Sequence, residues 1–299
     1  MASSILLLVL IAIFGSSTCF YVPGVAPTDF QKGDKITVKA IKMTSSHTQL
    51  PFEYYSMPLC PPKDGKIQYK TENLGEILRG DRISSTAYDV EMNVQYDCRV
   101  LCGSLDSPTK FDATASSTAH YRIEQEYFIH LIVDNLPCAT VFQLADMPEP
   151  QYEPGFRLGF VRENKAYINN HLTLLLKYHY SETEQIYRVV GFQVETNSLA
   201  KDRVSIDEDG TTCHIKDTGS FQEIRKEGSN EVLFTYSVKW EESPIRWASR
   251  WDIYLSMADV QIHWFSIVNS VVVVFFLSGI ITMIIIRTLR RYKGVILSY

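Results

Sequence analysis

The 299-residue sequence has no Asn-x-Ser/Thr sequon, no Cys-x-x-Cys pair, no acidic residue after Asp259 and no Lys or Arg among Met1 to Ser4. Lack of a sequon excludes ordinary N-glycosylation, so the surface must stay soluble through its own charge. Without Cys-x-x-Cys the usual thioredoxin-type and zinc spacings are missing. Neither a nucleophile elbow, a phosphate loop, a dinucleotide fingerprint nor a zinc-protease helix occurs, which argues against those enzyme classes; no enzyme activity and no cofactor are expected. Basic clusters are scarce before the C-terminal end. Setting aside Arg287, Arg290, Arg291 and Lys293, 25 Lys plus Arg stand against 34 Asp plus Glu. That balance disfavours a nucleic-acid partner, because phosphate binding needs clustered positive charge. Internal repeats are absent, and helical periodicity is limited to a short piece around Glu72 to Leu78.

Two long apolar runs are present. Ile5 to Phe14 is too short for a hydrocarbon core that takes roughly 20 helical residues, and it reads as a secretory h-region. Small residues at Ser17 and Cys19 place a signal peptide at 1–19, with Phe20 opening the mature chain. The second run, Trp264 to Ile286, carries no charge and forms a helix of just over 30 Å at 1.5 Å per residue. Residues 263–286 are therefore expected to span a lipid bilayer. The basic residues Arg287, Arg290 and Arg291 follow directly and place a short tail, 287–299, in the cytosol. Trp251, Tyr254 and Trp264 gather before the span, where amphipathic rings sit at the headgroup level. The body, 20–262, is then luminal.

Cys19 leaves with the signal peptide, so Cys60, Cys98, Cys102, Cys138 and Cys213 remain in an oxidising compartment as disulfide candidates. The odd number permits at most two internal bridges, with one thiol free, buried or paired between chains. Spacing does not identify the pairs.

Period-two alternation marks the body as β. Tyr88, Val90, Met92, Val94, Tyr96 and Cys98 share one strand face, as do Val232, Phe234, Tyr236, Val238 and Trp240 on a half-buried strand. Further strands are expected at Ile36 to Met43, Tyr127 to Val133, Leu172 to Tyr180 and Tyr187 to Thr196. Turn residues such as Asp64-Gly65, Gly80-Asp81 and Asp209-Gly210 separate these runs, and a Pro-rich stretch, Met147 to Gly155, is a possible subdivision. The expected fold is mainly β: an antiparallel, sandwich-like body with one C-terminal transmembrane α-helix.

His171 and His179 share a strand face, but eight residues at about 3.3 Å each keep them more than about 25 Å apart, too far for one metal ion. Asp207, Glu208 and Asp209 beside Gly210 read as an exposed acidic turn, with a calcium loop as the rival. His263, beside Trp264, could titrate in an acidified lumen. No metal ligand set is expected.

Several motifs in order resemble one family. They are Phe20-Tyr21-Val22-Pro23-Gly24, Leu50-Pro51-Phe52-Glu53-Tyr54-Tyr55, Glu72-Asn73-Leu74-Gly75-Glu76, Arg79-Gly80-Asp81-Arg82-Ile83, Cys98-Arg99-Val100-Leu101-Cys102, Val133-Asp134-Asn135-Leu136-Pro137, Asn169-Asn170-His171 and Ile262-His263-Trp264-Phe265-Ser266. Together these resemble the transmembrane 9 superfamily, or nonaspanins. The resemblance implies a large non-cytosolic domain followed by nine membrane helices, in Golgi and endosomal membranes. It also implies a part in sorting other membrane proteins, which would be cargo or partners, with no catalytic residues to carry over. After Arg290-Arg291 the sequence departs from the family pattern, so it reads as a truncated member. Two other readings are a luminal lid of a transporter or channel, and a cargo-binding competitor.

Overall fold

A computed structural model describes residues 26–48, 50–69, 82–143, 150–216, 219–255 and 264–296. The expected signal peptide, the helical piece at Glu72 to Leu78 and His263 lie outside these residues. The chain divides into two compact units, Met1–Ala258 and Asp259–Tyr299.

Two sheets dominate the first unit. In one, β1 (Lys35–Thr44) lies between β2 (Ser84–Glu91) and β5 (Phe128–Val133), antiparallel to both, and β5 also pairs with β6 (Leu136–Pro137) and β9 (Phe156–Arg157). Alternation buries Ile36, Val38 and Ala40, after which a register shift between Ala40 and Lys42 resets the phase so that Met43 is buried too. One extra residue in a ladder has that effect, because side chains alternate strictly between faces.

The second sheet runs in the order β3 (Tyr96–Cys102), β17 (Phe234–Glu242), β12 (His171–Ser181), β13 (Ile186–Asn197), β7 (Ala139–Phe142), β8 (Gln151–Pro154). Strands β12 and β13 form a long antiparallel hairpin, from His171 opposite Asn197 to Ser181 opposite Ile186. Two other pairings are parallel, β12 with β17 and β13 with β7, so this sheet is mixed. Val38 and Leu131 from the first sheet share one core with Leu174, Phe192 and Val238 from the second. Each fully buried Leu, Val or Phe contributes about 1.5–3 kcal/mol, which makes this shared core the main source of stability. Tyr88 of β2 and Tyr236 of β17 stack edge to face at 5.4 Å across the gap, and the Tyr236 hydroxyl donates to the Asp89 carbonyl at 3.2 Å.

The structure breaks the run expected as one strand from Tyr88 to Cys98. Strand β2 ends at Glu91, Asn93 adopts φ 55°, and β3 begins at Tyr96 in the other sheet. Asn tolerates left-handed backbone better than other side chains, so it can carry the crossover. The run from Val232 to Trp240 is also divided: β16 (Asn230–Val232) pairs with β4 (Thr109–Phe111), while β17 starts at Phe234. From Phe234 to Val238 every residue of β17 is buried, so that stretch is covered on both faces and not half-buried. Two small hairpins, β10 (Gly159–Arg162) with β11 (Lys165–Ile168) and β14 (Val204–Ile206) with β15 (Cys213–Ile215), complete the strands. The structure also has a helix the periodicity does not reveal, α1 (Ala113–Glu124), whose first turn is capped by the Asp112 carboxylate accepting from the Ala115 amide at 2.7 Å. The first unit closes with a short helix, α2 (Asp252–Leu255).

The second unit is built on α3 (Trp264–Ile296). Its stretch Ile267–Arg290 is long and apolar enough to cross a membrane and is exposed throughout. At 1.5 Å per residue its 24 residues measure about 36 Å, against a hydrocarbon core of about 30 Å. Side chains such as Val272, Phe275 and Phe276 stand more than half exposed, which in water would be strongly unfavourable. A bilayer is the solvent this surface suits. Arg287 and Arg290 lie at the C-terminal end of that stretch, and Arg291 follows within α3.

Candidate functional site: a clamp on the segment before the apolar helix

The turn between β5 and β6 contains only Asp134 and Asn135, at φ 45° and 61°. Positive φ at both central residues suits the twist of a two-residue hairpin, and Asp and Asn are among the few side chains that accept it. This turn presents the Asp134 carboxylate to Arg250, which sits after a 3-10 turn at Trp247–Ser249. Arg250 Nη1 donates to Asp134 Oδ2 at 2.7 Å and to the Val189 carbonyl of β13 at 3.1 Å. One guanidinium thus joins the first sheet to the second. Its carbon lies 4.5 Å from the centre of the Trp247 ring, a cation–π contact. The side chains of Arg250 and Asp134 are only 1% and 7% exposed. Charges so far from water persist only when paired and hydrogen-bonded. Arg250 Nε has no hydrogen-bond partner.

One helical turn on, the Tyr254 hydroxyl donates to the Pro137 carbonyl at 2.6 Å, and burial pushes its phenol above the ordinary range. Of the aromatic residues expected at headgroup level, Tyr254 is therefore hydrogen-bonded to the body. Its neighbour Trp251, at 5.4 Å between ring centres, remains 39% exposed. Trp264 is the first residue of α3.

The cysteines sort themselves on β3. Cys102 is bonded to Cys60, and Cys98 to Cys213, with sequence separations of 42 and 115. Cys138 is the free, buried member. Its sulfur accepts from the Leu131 amide at 3.3 Å, and burial pushes the thiol up to about 12, so it stays protonated and unreactive.

His171 and His179, weighed in the sequence as ligands, and also His130, have local hydrogen-bonding partners. His171 and His179 lie eight positions apart on β12. His179 Nδ1 is 3.2 Å from the Ser243 carbonyl, and His130 Nε2 is 2.7 Å from Thr44 Oγ1. His171 is buried between the Thr235 hydroxyl, 2.9 Å from Nδ1, and the Ser237 hydroxyl, 3.2 Å from Nε2. Burial, aided by nearby Lys239, lowers its pKa from 6.5 to about 4. The native state thus holds His171 neutral where an unfolded chain would bind a proton. Stability from this residue is complete above about pH 6.5 and is lost as pH falls towards 4, by about 3 kcal/mol at the lower end. A His171→Gln variant is expected to show a flatter dependence of melting temperature on pH between 6.5 and 4. Curves of equal slope would show that other groups set the acid limit.

Asp209 uses both carboxylate oxygens within its own turn. It accepts from the amides of Thr211 and Thr212 at 3.0 Å and from both their hydroxyls at 2.8 Å. Those bonds hold it below the usual carboxylate range. Among the described residues no three His, Cys, Asp or Glu gather as a metal site.

Arg250 is the residue that sequence pattern did not single out. Val133-Asp134-Asn135-Leu136-Pro137 was conspicuous as a motif, and Asp-Asn between apolar runs is a turn signal. The partnership itself spans 116 positions and has no local signature.

Comparison with known proteins adds the family dimension. The pattern of the family described as Endomembrane protein 70 matches residues 51–294. Over 95% of its length the chain is 51% identical to transmembrane 9 superfamily member 4 of Rattus norvegicus. It is 41% identical over 91% of its length to member 9 from Arabidopsis thaliana, and 38% identical over 92% to a Dictyostelium discoideum protein named putative phagocytic receptor 1a. These alignments cover 46%, 44% and 45% of the three relatives, so the chain spans about half the length of the curated relatives it matches. No solved structure matches it.

Proposed function

The chain belongs to the transmembrane 9 superfamily, the Endomembrane protein 70 family, and from that premise we propose that it takes part in sorting and localising other membrane proteins within Golgi and endosomal membranes. In this reading the β-rich unit lies on the luminal side and contacts membrane-protein cargo, α3 crosses the bilayer, and Arg287, Arg290 and Arg291 face the cytosol. The division follows residues 1–19 as signal peptide, 20–262 as body, 263–286 as span and 287–299 as tail.

The observation that carries it is a body with two disulfides attached to one apolar helix, in a family named for endomembranes. Disulfides form and persist in oxidising compartments, which supports a luminal body. The phagocytic-receptor name of the Dictyostelium discoideum relative supports recognition of a partner rather than chemistry on a substrate.

The test is co-purification of membrane proteins with the chain after cross-linking in intact cells, followed by depletion of the gene product. Captured membrane proteins are expected to lose their surface pool on depletion. Unchanged surface levels of every captured protein would overturn the reading. Protease added outside intact microsomes is expected to leave the β body uncut.

A further inference from the structure

We propose that a cavity at the start of β1 is a binding site for a small organic anion, its oxyanion group held over Thr37 between Lys35 and Lys39. Strand β1 is laddered to β2 from Lys35 onward, but to β5 only from Val38. On the β5 side of residues 35–37 lies a cavity of about 250 Å³, bounded by the turn at Asp134 and Asn135 and by the segment 28–30. At roughly 30 Å³ for each molecule it has room for about eight waters, which suits a small molecule and not a lipid or a folded partner. Its outer wall is fixed: Phe30 and Tyr187 exchange both backbone hydrogen bonds at 2.9 Å, and Arg188 Nε donates to Asp29 Oδ1 at 2.6 Å. The site is therefore preformed.

Alternation puts Lys35, Thr37 and Lys39 on the face of β1 away from the shared core, with Lys35 and Thr37 exposed. Thr37 stands midway, about 6.6 Å along the strand from either lysine, a gap that their flexible four-carbon stems can close. One anion above the Thr37 hydroxyl can thus take N–H donors from both ammonium groups and an O–H between them. The surrounding aspartates are already engaged. Asp134 is bonded to Arg250, Asp29 to Arg188, Asp34 to the Gln31 amide at 2.7 Å, and Asp89, opposite Thr37 on β2, to Lys63 at 2.8 Å. Glu91 stands opposite Lys35, yet Lys35 has no ion-pair partner among the described residues. Lys39 has contacts of its own, and the three donors of an ammonium can be shared. The uncommitted charge at the cavity is therefore positive, which selects an anion. Phe30 and Ile132 also line it, so the ligand carries a compact apolar body beside its charged head.

Carboxylate and phosphate heads share this chemistry, and binding of either is independent of the sorting role. The test uses the full chain in detergent, with benzoate and phenyl phosphate as probes and benzyl alcohol as their uncharged counterpart. Acetylation of individual lysines is followed by mass spectrometry, with the exposed Lys226 as reference. A saturating anionic probe is expected to slow modification of Lys35 at least about threefold and to leave Lys226 unchanged. Protection by benzoate alone, by phenyl phosphate alone or by both supports the site and identifies the head it takes. No protection by either, or equal protection by benzyl alcohol, would overturn the proposal. Lys35→Gln leaves the core untouched, and equilibrium dialysis of the protecting probe is expected to show binding at least about tenfold weaker than to the unaltered chain. Unchanged affinity in that variant would place the anion elsewhere and overturn the proposal as well.

Discussion

Replacing Arg250 with methionine is expected to lower stability by about 3–5 kcal/mol, because it strands the Asp134 carboxylate in a site from which water has been excluded. Asp134→Asn alone is expected to cost a similar amount, leaving a guanidinium buried without its countercharge. Asn is the appropriate substitute there, since it accepts the positive φ of the turn and alters only the charge. The double variant should recover at least half of the loss, because removing both charges removes the desolvation that neither single change relieves. Denaturant melts of the purified chain in detergent, followed by near-ultraviolet circular dichroism, would measure all three. If the double variant loses as much as the two singles combined, the pair is not coupled and the clamp is an incidental contact. Amide exchange at Asp252–Leu255 provides a second readout, expected to accelerate in each single variant.

Removing the Cys98–Cys213 bridge is the other large effect. In the chain-entropy account a closure of about 100 residues contributes about 4.7 kcal/mol, and dependence on length is logarithmic. The Cys60–Cys102 bridge, closing 42 positions rather than 115, should then contribute only about 1 kcal/mol less. The environments widen the gap. Cys98 and Cys213 are both buried, in a small cluster with Leu199, Val204 and Leu233, whereas in the other pair Cys60 is buried and Cys102 only half-buried, so alanine opens the larger void at the first pair. Melting the Cys98→Ala/Cys213→Ala and Cys60→Ala/Cys102→Ala variants under oxidising conditions should rank them in that order. The reverse order would show that the loop tied by Cys60 matters more than chain closure. Cys138→Ala, by contrast, should leave the bridges intact.

Much of the β architecture was legible in alternation. Strands β1, β5, β12 and β13 fall where Ile36 to Met43, Tyr127 to Val133, Leu172 to Tyr180 and Tyr187 to Thr196 placed them. The break at Asn93 was hidden because Val94, Tyr96 and Cys98 continue the same phase on the far side of the turn. Periodicity reports which face is apolar, not which sheet a strand joins. Helix α1 was hidden for a different reason. Its buried residues are Ser116, Ala119, Arg122 and Ile123, so the inward stripe is small or polar and gives little amphipathic signal. Parallel pairing of β12 with β17 joins His171 to Thr235 across 64 positions, and nothing local marks it. For the site, the odd count of cysteines was readable and the pairing was not. Trp251 and Tyr254 drew notice as aromatic residues near a membrane, yet the ion pair beside them joins Arg250 to Asp134, which is adjacent only after the sheets have formed.

Arg250 grips both sheets at once, through Asp134 on one and Val189 on the other, and this determines where mechanical load goes. Tension applied through the tail reaches Tyr254 and Arg250 before it reaches Ser243, whose amide is fastened to Tyr178 of β12. Drag on the anchored end is therefore divided between the two halves of the body instead of peeling a single strand from its edge.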